Sequence, residues 1–149
     1  MKLTNEAIDG FEKVRKGLYR GVSFRIESDG ICGMEQLIEK QGSDSTEDVV
    51  FEWNTFVELL PQDECRYIVY DMRYRSSETN TTRNKVLFFI WAPTGASVKQ
   101  KMLTAFCAHS ITSQLASGSG ISARLQAASF ADLDYSVVLE KALRTATVK

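Results

Sequence analysis

Seven consecutive apolar residues, 86–92, constrain the fold of this 149-residue chain more than any other feature. The run does not alternate between apolar and polar positions, so a strand made from it must be covered on both faces. It is far shorter than the ~18 residues that a membrane-spanning helix needs. We therefore predict a strand over residues 85–91 at a central sheet position, ended by Pro93, with helices on both sides of the sheet.

Apolar residues at helical spacing predict two helices in the first half of the chain. The first covers residues 5–16 and is capped by Thr4 or Asn5. The second begins at Ser45, in a sequence that resembles a capping box, and is ended by Pro61.

The longest helical candidate covers residues 97–115, and we expect its apolar stripe to be buried. Lys99 and Lys101 lie off that stripe, in the opening turns. A last helix is capped by Asp132 or Asp134. The stripe of the long helix consists of four residues at steps of four and two that widen it, namely Leu103, Cys107, Ile111 and Leu115 with Met102 and Phe106.

Four further segments read as strands, namely residues 18–27, 31–40, 65–74 and 121–128, and the polar residues 76–84 read as a loop. The predicted order is αββαββαβα. The long helix makes a crossover that suits a parallel pair, whereas hairpins make the other pairs antiparallel. We expect one domain over residues 1–149, of the α/β (α+β) class, with a five-stranded mixed sheet and helices on both faces.

The charges are segregated along the chain although the net charge is only -1. Residues 27–64 hold eleven acids and one base, whereas residues 65–101 hold seven bases and two acids. One interpretation is a basic face that suits an acidic partner and an acidic face elsewhere; the other is a solvated surface with no partner. The overall balance does not favour binding to nucleic acid or to an anionic membrane through bulk charge.

The sequence offers no catalytic or metal-binding constellation. His109 is the one histidine, and Cys107 lies two residues away on the same predicted helix, so the two side chains point apart. Three cysteines without a C-x-x-C pair predict free thiols in a reducing, cytoplasmic compartment and no zinc site. The glycine-rich residues 117–120 close a helix and lack the lysine of a phosphate loop. We expect a binding protein with no metal and no cofactor, and not an enzyme.

Four segments resemble the actin-depolymerising factor (ADF)/cofilin family. Residues 60–71 read LPQDECRYIVYD, similar to the family's LPxxDCxYxxYD. Residues 83–93, RNKVLFFIWAP, lead without a gap into VKQKM at residues 98–102, similar to WxP…(V/I)(K/R)xKM. Residues 135–141, YSVVLEK, resemble YxxVLE(K/R). The segments come in the family's order and spacing and, with the element order, cover nearly the whole chain.

The resemblance implies a monomeric ADF-homology domain of the cytoplasmic actin cytoskeleton. Family members bind actin monomers and filaments, prefer ADP-actin, and sever or depolymerise filaments. The surface for both forms of actin uses the chain's first residues and the long helix, here Lys99, Lys101 and Met102. A second surface, for filaments, would use residues on the fourth strand and the last helix, namely Arg83, Lys85, Glu140, Lys141 and Arg144.

This chain departs from the family pattern in two places. Family members carry an N-terminal extension with a phosphorylatable serine, whereas this chain begins at its first helix, where Thr4 is the candidate substitute. Thr94 and Ser97 also replace the Asp and Pro that often precede the long helix. Farther along that helix, four residues stand where lysines or arginines are common, which predicts weak phosphoinositide inhibition and weaker severing: Ala108, His109, Thr112 and Ser113.

Two alternatives stay open at this stage. On the same fold, coactosin-like proteins bind filaments without disassembling them, and glia-maturation-factor-like proteins act on branch junctions. The motif Lys99-x-Lys101-Met102 favours the depolymerising branch, and the shortage of bases along the helix favours the others. From a different class, a small-molecule binder or thiol enzyme would need a reactive cysteine.

Overall fold

The predicted apolar strand lies at the centre of the computed structural model, which describes residues 1–28, 30–40, 45–115 and 120–147. The described helices are α1 (Asn5–Arg15), α2 (Thr46–Val57), α3 (Val98–Gln114) and α4 (Tyr135–Thr147), with a short 3-10 turn at Phe130–Leu133. The strands are β1 (Lys2–Leu3), β2 (Gly21–Ser28), β3 (Ile31–Ile38), β4 (Arg66–Arg75), β5 (Thr82–Trp91) and β6 (Ala123–Ala127).

The strands form one mixed sheet in the order β1-β3-β2-β4-β5-β6. The pairs β2–β3, β2–β4 and β4–β5 are antiparallel, and β5–β6 is the parallel pair expected from the crossover through α3. β4 and β5 pair over their whole length, from Arg66 opposite Trp91 to Arg75 opposite Thr82. This long hairpin forms the middle of the sheet.

Both faces of the β4–β5 hairpin are buried, which confirms the prediction drawn from the apolar run. On one face Val86 and Phe88 pack with α1 and α3. On the other face Leu87, Phe89 and Trp91 pack with α2 and α4. The helices therefore lie in pairs on opposite sides of the sheet, and α2 and α3 are separated by it.

The sheet has six strands instead of the predicted five, because Lys2 and Leu3 pair in parallel with β3. The loop predicted over residues 76–84 is also too long, since Thr82, Arg83 and Asn84 belong to β5. Backbone hydrogen bonds to β4 hold these three residues, and such bonds need no apolar side chain. The loop predicted at residues 117–120 lies, apart from Gly120, outside the described residues.

The prediction for the buried stripe of α3 is wrong in its first half. Met102, Leu103 and Phe106 are 67%, 40% and 86% exposed, whereas Thr104 is buried. Steps of four residues advance about 400° around a helix, so a stripe built from them drifts by about 40° at every step. Thr104 tolerates burial because its hydroxyl donates to the Gln100 carbonyl oxygen at 2.8 Å.

The structure shows which of the proposed capping residues cap a helix. Thr4 accepts a hydrogen bond from the Ala7 amide at 3.2 Å and caps α1, and Ser45 caps α2 through the Asp48 amide at 3.2 Å. The carboxylate of Asp132 accepts from the amides of residues 128 and 129, so it braces the 3-10 turn and not α4. Asp134 directly precedes α4, and its carbonyl accepts from residue 138.

A buried ion pair ties β2 to α2. Nη2 of Arg20, just before β2, lies 3.1 Å from Oε1 of Glu52 in α2, and both side chains are more than nine-tenths buried. Tyr70 lies beside this pair, and burial raises the pKa of its hydroxyl. Each charge depends on the other, because a lone buried charge is far more costly than a matched pair.

We expect Glu52→Ala to lower the free energy of unfolding by about 3–5 kcal/mol, because it leaves the buried Arg20 guanidinium without its carboxylate. Glu58→Ala, at an exposed position where α2 ends, is the matched control and should change it by less than about 0.5 kcal/mol. Urea denaturation of the three proteins measures both. Equal stability of the two variants would contradict this role for the pair.

Candidate functional site

The start of α3 is held rigidly against the sheet. Ser97 caps the helix by accepting from the Gln100 amide at 3.1 Å. The Gln100 side chain in turn accepts from the Cys65 amide at 2.7 Å, and the Tyr67 hydroxyl donates to the Thr104 carbonyl at 2.6 Å. These bonds fix which side of α3 faces inward, and therefore which side chains project from it.

The outward side of α3 is an exposed apolar stripe. Val98, Met102 and Phe106 follow at steps of four residues, and their exposed fractions are 68%, 67% and 86%. Leu103 widens the stripe, and the exposed Lys99 follows directly after Val98. Such a row of large apolar side chains gains free energy when a partner covers it. We call Val98, Met102, Leu103 and Phe106 the α3 stripe.

Three members of the α3 stripe were missed from sequence. Leu103 and Phe106 were assigned to the core, and Val98 was given no role. The sequence does contain a signal, since residues 98, 102 and 106 repeat at four-residue spacing beside the predicted buried stripe. Lys99 is exposed, as its position off the predicted stripe implies, and Lys101 is half-buried. Met102 is exposed, which suits the contact surface implied by the family resemblance but not the buried stripe drawn from periodicity.

A second candidate site lies where the β4–β5 hairpin meets α4. Arg83, Lys85 and Arg75 line a groove there together with Tyr74 and Leu143 of α4. The structure thus brings the predicted bases of β5 next to the last helix. We call this the hairpin groove.

Hydrogen bonds fix the walls of the hairpin groove. The buried carboxylate of Asp71 accepts from Asn84 at 2.8 Å and from Arg73 at 3.1 Å, which locks β5 to β4 beside Arg83 and Lys85. The Tyr135 hydroxyl donates to the Arg73 carbonyl at 2.6 Å and so holds the first turn of α4 on the hairpin.

The predicted site residues of α4 are exposed but do not themselves line the groove. Glu140 and Arg144 form an ion pair with each other, one helical turn apart, and Lys141 lies next to Glu140. Leu143 is the residue of α4 that reaches the groove wall.

The two candidate sites lie at opposite ends of β5. Arg83 stands near the beginning of the strand, and α3 begins seven residues after its end at Trp91. Eight residues of strand separate Arg83 from Trp91, which corresponds to about 25 Å. The two sites are therefore separate surfaces near the two ends of the strand.

The first residues of the chain lie against the last turns of α3. The Leu3 amide donates to the Gln114 side chain at 2.9 Å, and that side chain donates to the Met1 carbonyl at 2.8 Å. Thr4 follows directly and is half-buried as the cap of α1. The first residues are therefore held on the same side of the sheet as the α3 stripe.

The cysteines are unsuited to nucleophilic chemistry. Cys32, Cys65 and Cys107 are all buried and free. Burial raises the pKa of the Cys32 thiol to about 12 and also raises the pKa of Cys65. His109 is exposed on α3. Among the described residues no group of three or more His, Cys, Asp or Glu side chains is placed to hold a metal ion, and no helix is long and apolar enough to cross a membrane.

This chain is similar to known actin-binding proteins along nearly its whole length. The profile of the family described as cofilin/tropomyosin-type actin-binding protein matches residues 1–143. A cofilin of Ogataea parapolymorpha is 32% identical over 144 residues, which cover 96% of this chain and 92% of the relative. A cofilin of Yarrowia lipolytica is 32% identical, with 97% and 87% of the two chains covered. The crystal structure of Streptomyces griseoflavus cofilin superposes with a TM-score of 0.79 at 26% identity, covering 96% of this chain and 97% of that one.

We expect a disulfide reagent at pH 8 to leave Cys32 of the native protein unmodified for minutes, although all three thiols react after unfolding. With a pKa of about 12, only about one Cys32 side chain in 10,000 is a thiolate at pH 8. The reactivity of Cys32 should therefore rise as the pH approaches 12. Rapid labelling of a native thiol with a midpoint near pH 7 would support a thiol enzyme instead.

Proposed function

Since this chain belongs to the family of cofilin/tropomyosin-type actin-binding proteins, we propose that it binds actin monomers and filaments and promotes the severing and depolymerisation of filaments. Two relatives named cofilin and one named actin-depolymerizing factor match this chain along nearly their whole length. Members of this family regulate actin by binding it. The observation that carries the proposal is the α3 stripe, a row of exposed apolar side chains beside Lys99.

The α3 stripe supplies the contact to one actin subunit in this proposal. Covering a fully exposed side chain such as Met or Phe is worth roughly 1.5–3 kcal/mol, so Met102 and Phe106 are the anchors. Lys99 and Lys101 surround them with positive charge, which steers the domain toward an acidic surface and fixes its orientation. The hydrogen bonds that hold α3 on β4 keep this surface preorganised.

The hairpin groove supplies a contact to a second actin subunit in the filament. Arg83 and Lys85 act together with Glu140, Lys141 and Arg144 of α4 at the far end of β5. Two weak contacts on one rigid domain reinforce each other through effective concentration. Severing follows if the doubly bound domain favours one filament twist over another, because a ligand shifts an equilibrium by its preference for one state.

The same proposal extends to the nucleotide state of the bound actin and to the regulation of this chain. We expect a preference for ADP-actin, as in the ADF/cofilin family. We also expect weak inhibition by phosphoinositides, because Ala108, His109, Thr112 and Ser113 add no lysine or arginine to α3. Thr4 is the candidate for regulation by phosphorylation. A phosphate there would be tolerated at the start of α1 and would act by adding negative charge near the first residues.

One observation favours a second candidate, a coactosin-like filament side-binder. The exposed second half of α3, which includes His109 and Ser113, offers no base for further contact with actin. Such a protein would occupy filaments without releasing monomers. A branch regulator of the glia-maturation-factor type is the other alternative on this fold.

Two double variants distinguish the contribution of the α3 surface to actin binding from that of the hairpin groove. Lys99→Ala with Lys101→Ala should weaken binding to monomers and to filaments, each by about tenfold, because both forms use the α3 surface. Arg83→Ala with Lys85→Ala should weaken filament binding to a similar extent and leave monomer binding unchanged. Titration of fluorescent actin monomers and pelleting with filaments provide the two affinities.

The circular dichroism spectra of both double variants should match that of the wild type, because Arg83 and Lys99 are exposed and Lys85 and Lys101 are half-buried. Equal loss of monomer and filament binding in both double variants would contradict the division into two surfaces.

Phe106 tests the apolar anchor directly. We expect Phe106→Ala to weaken monomer binding about tenfold or more without lowering the melting temperature, since the ring is 86% exposed in the free protein. Phe51→Ala removes a ring that is 67% exposed on α2, across the sheet, and is the matched control with unchanged monomer affinity. Wild-type affinity in Phe106→Ala would remove Phe106 from the contact.

A further inference from the structure

A second exposed apolar face lies on α2, on the other side of the sheet from the α3 stripe. Phe51 is 67% exposed, and Leu59, just beyond the end of the helix, is 50% exposed. Thr55, between them, and Glu47 and Glu58 at the two ends are also exposed. The buried residues of the helix, such as Trp53 and Phe56, point the opposite way into the core. The outer side of α2 is therefore apolar in the middle and acidic at both ends.

This side of α2 continues into a small groove beside β3. Thr55 and Leu59 line the groove from the helix, and Ile38 and Glu39 line it from the end of β3. The ion pair of Arg20 and Glu52 closes the groove at its base. The groove therefore has walls of aliphatic and aromatic side chains, and the two charges at its floor neutralise each other. Glu39 adds one exposed carboxylate at its rim.

The acids around this face differ from the other acids of the acidic segment 27–64. Glu35 and Glu64 form ion pairs with Arg66 and so serve the internal structure. Within the described part of the chain, Glu39, Glu47 and Glu58 take part in no ion pair. The segment's one base, Lys40, has its Nζ beside Gly17 in the turn after α1. Three exposed carboxylates thus surround Phe51 and Leu59 with uncompensated negative charge.

We propose that this surface, formed by Glu39, Glu47, Phe51, Glu58 and Leu59, docks a basic segment of another protein that carries apolar side chains among lysines or arginines. Charge complementarity selects the partner, because an acidic segment would be repelled by the three carboxylates. Phe51 is the anchor, and the groove beside Leu59 receives a second apolar side chain or the aliphatic stem of a lysine. We call it the α2 surface.

The α2 surface is separate from both proposed actin contacts. It lies across the sheet from the α3 stripe, and it is acidic where the hairpin groove is basic. The domain can therefore hold actin and the basic partner together. This inference does not rest on the proposed function, since it concerns residues that the actin contacts do not use.

The test uses a fluorescein-labelled, 18-residue amphipathic peptide of leucine and lysine, with a leucine–glutamate peptide of the same pattern as the control probe. Fluorescence anisotropy measures affinity, and amide chemical shifts of the isotope-labelled protein locate the bound peptide. We expect the basic peptide to shift the amides of α2 and of the end of β3, and the acidic peptide to cause no shifts. We also expect affinity to fall as salt rises.

Matched variants separate specific docking from general attraction to acidic protein. Phe51→Ser should weaken the basic peptide about tenfold, and Glu47→Gln with Glu58→Gln about threefold. Val137→Ser, an exposed apolar position on α4, should have no effect on the peptide. Phe51→Ser should bind actin monomers as the wild type does, so that failure of the docking surface and failure of the actin surfaces give different results.

Three results would overturn the proposal. The first is peptide-induced shifts that cluster away from α2 or a peptide affinity that Phe51→Ser does not change. The second is binding of both peptides alike, which would indicate a merely sticky apolar face. The third is concentration-dependent self-association in sedimentation velocity that Phe51→Ser abolishes, which would make the occupant a second copy of this chain.

Discussion

The burial of the β4–β5 hairpin on both of its faces is the constraint on which the rest of the structure depends. Val86 and Phe88 require cover on one side, and Leu87, Phe89 and Trp91 require it on the other. Four helices provide that cover in pairs. Since α2 and α3 lie on opposite sides, the exposed apolar faces described on these two helices point in opposite directions and can contact different partners.

Polar contacts, and not apolar ones, hold the first half of α3. Gln100 and Thr104 face β4 and bond to the Cys65 amide and the Tyr67 hydroxyl, while Val98, Met102 and Phe106 face solvent. This inversion of the usual pattern leaves the apolar side chains free for a partner while the helix stays fixed. The same arrangement recurs more weakly on α2, where Phe51 is exposed although the core side of the helix is strongly apolar.

Much of this fold follows from sequence patterns, because the largest constraint, the non-alternating strand, is local and visible. The helices, the antiparallel hairpins and the parallel crossover through α3 are confirmed, as is membership of the ADF/cofilin family. The short strand at Lys2–Leu3 was not predicted because two residues are too few to show a period, although Leu3 is buried in the core. The start of β5 at Thr82 was not predicted because backbone pairing to β4, and not apolar side chains, holds it. The exposure of Leu103 and Phe106 was missed because periodicity shows that a helix has two faces without deciding which apolar side chains a partner will cover. Glu39 and Leu59, which line one groove, come together only in three dimensions.

Actin co-sedimentation of the wild-type protein tests the central claim most directly. Increasing amounts of the protein are added to a fixed amount of filaments, and after centrifugation the protein in the pellet and the actin in the supernatant are both measured. The two-surface account predicts that both quantities rise together, as the domain occupies filaments and releases subunits. Absence of the protein from the pellet, with no rise of actin in the supernatant, would contradict it, and pelleting without release of actin would instead support a coactosin-like side-binder.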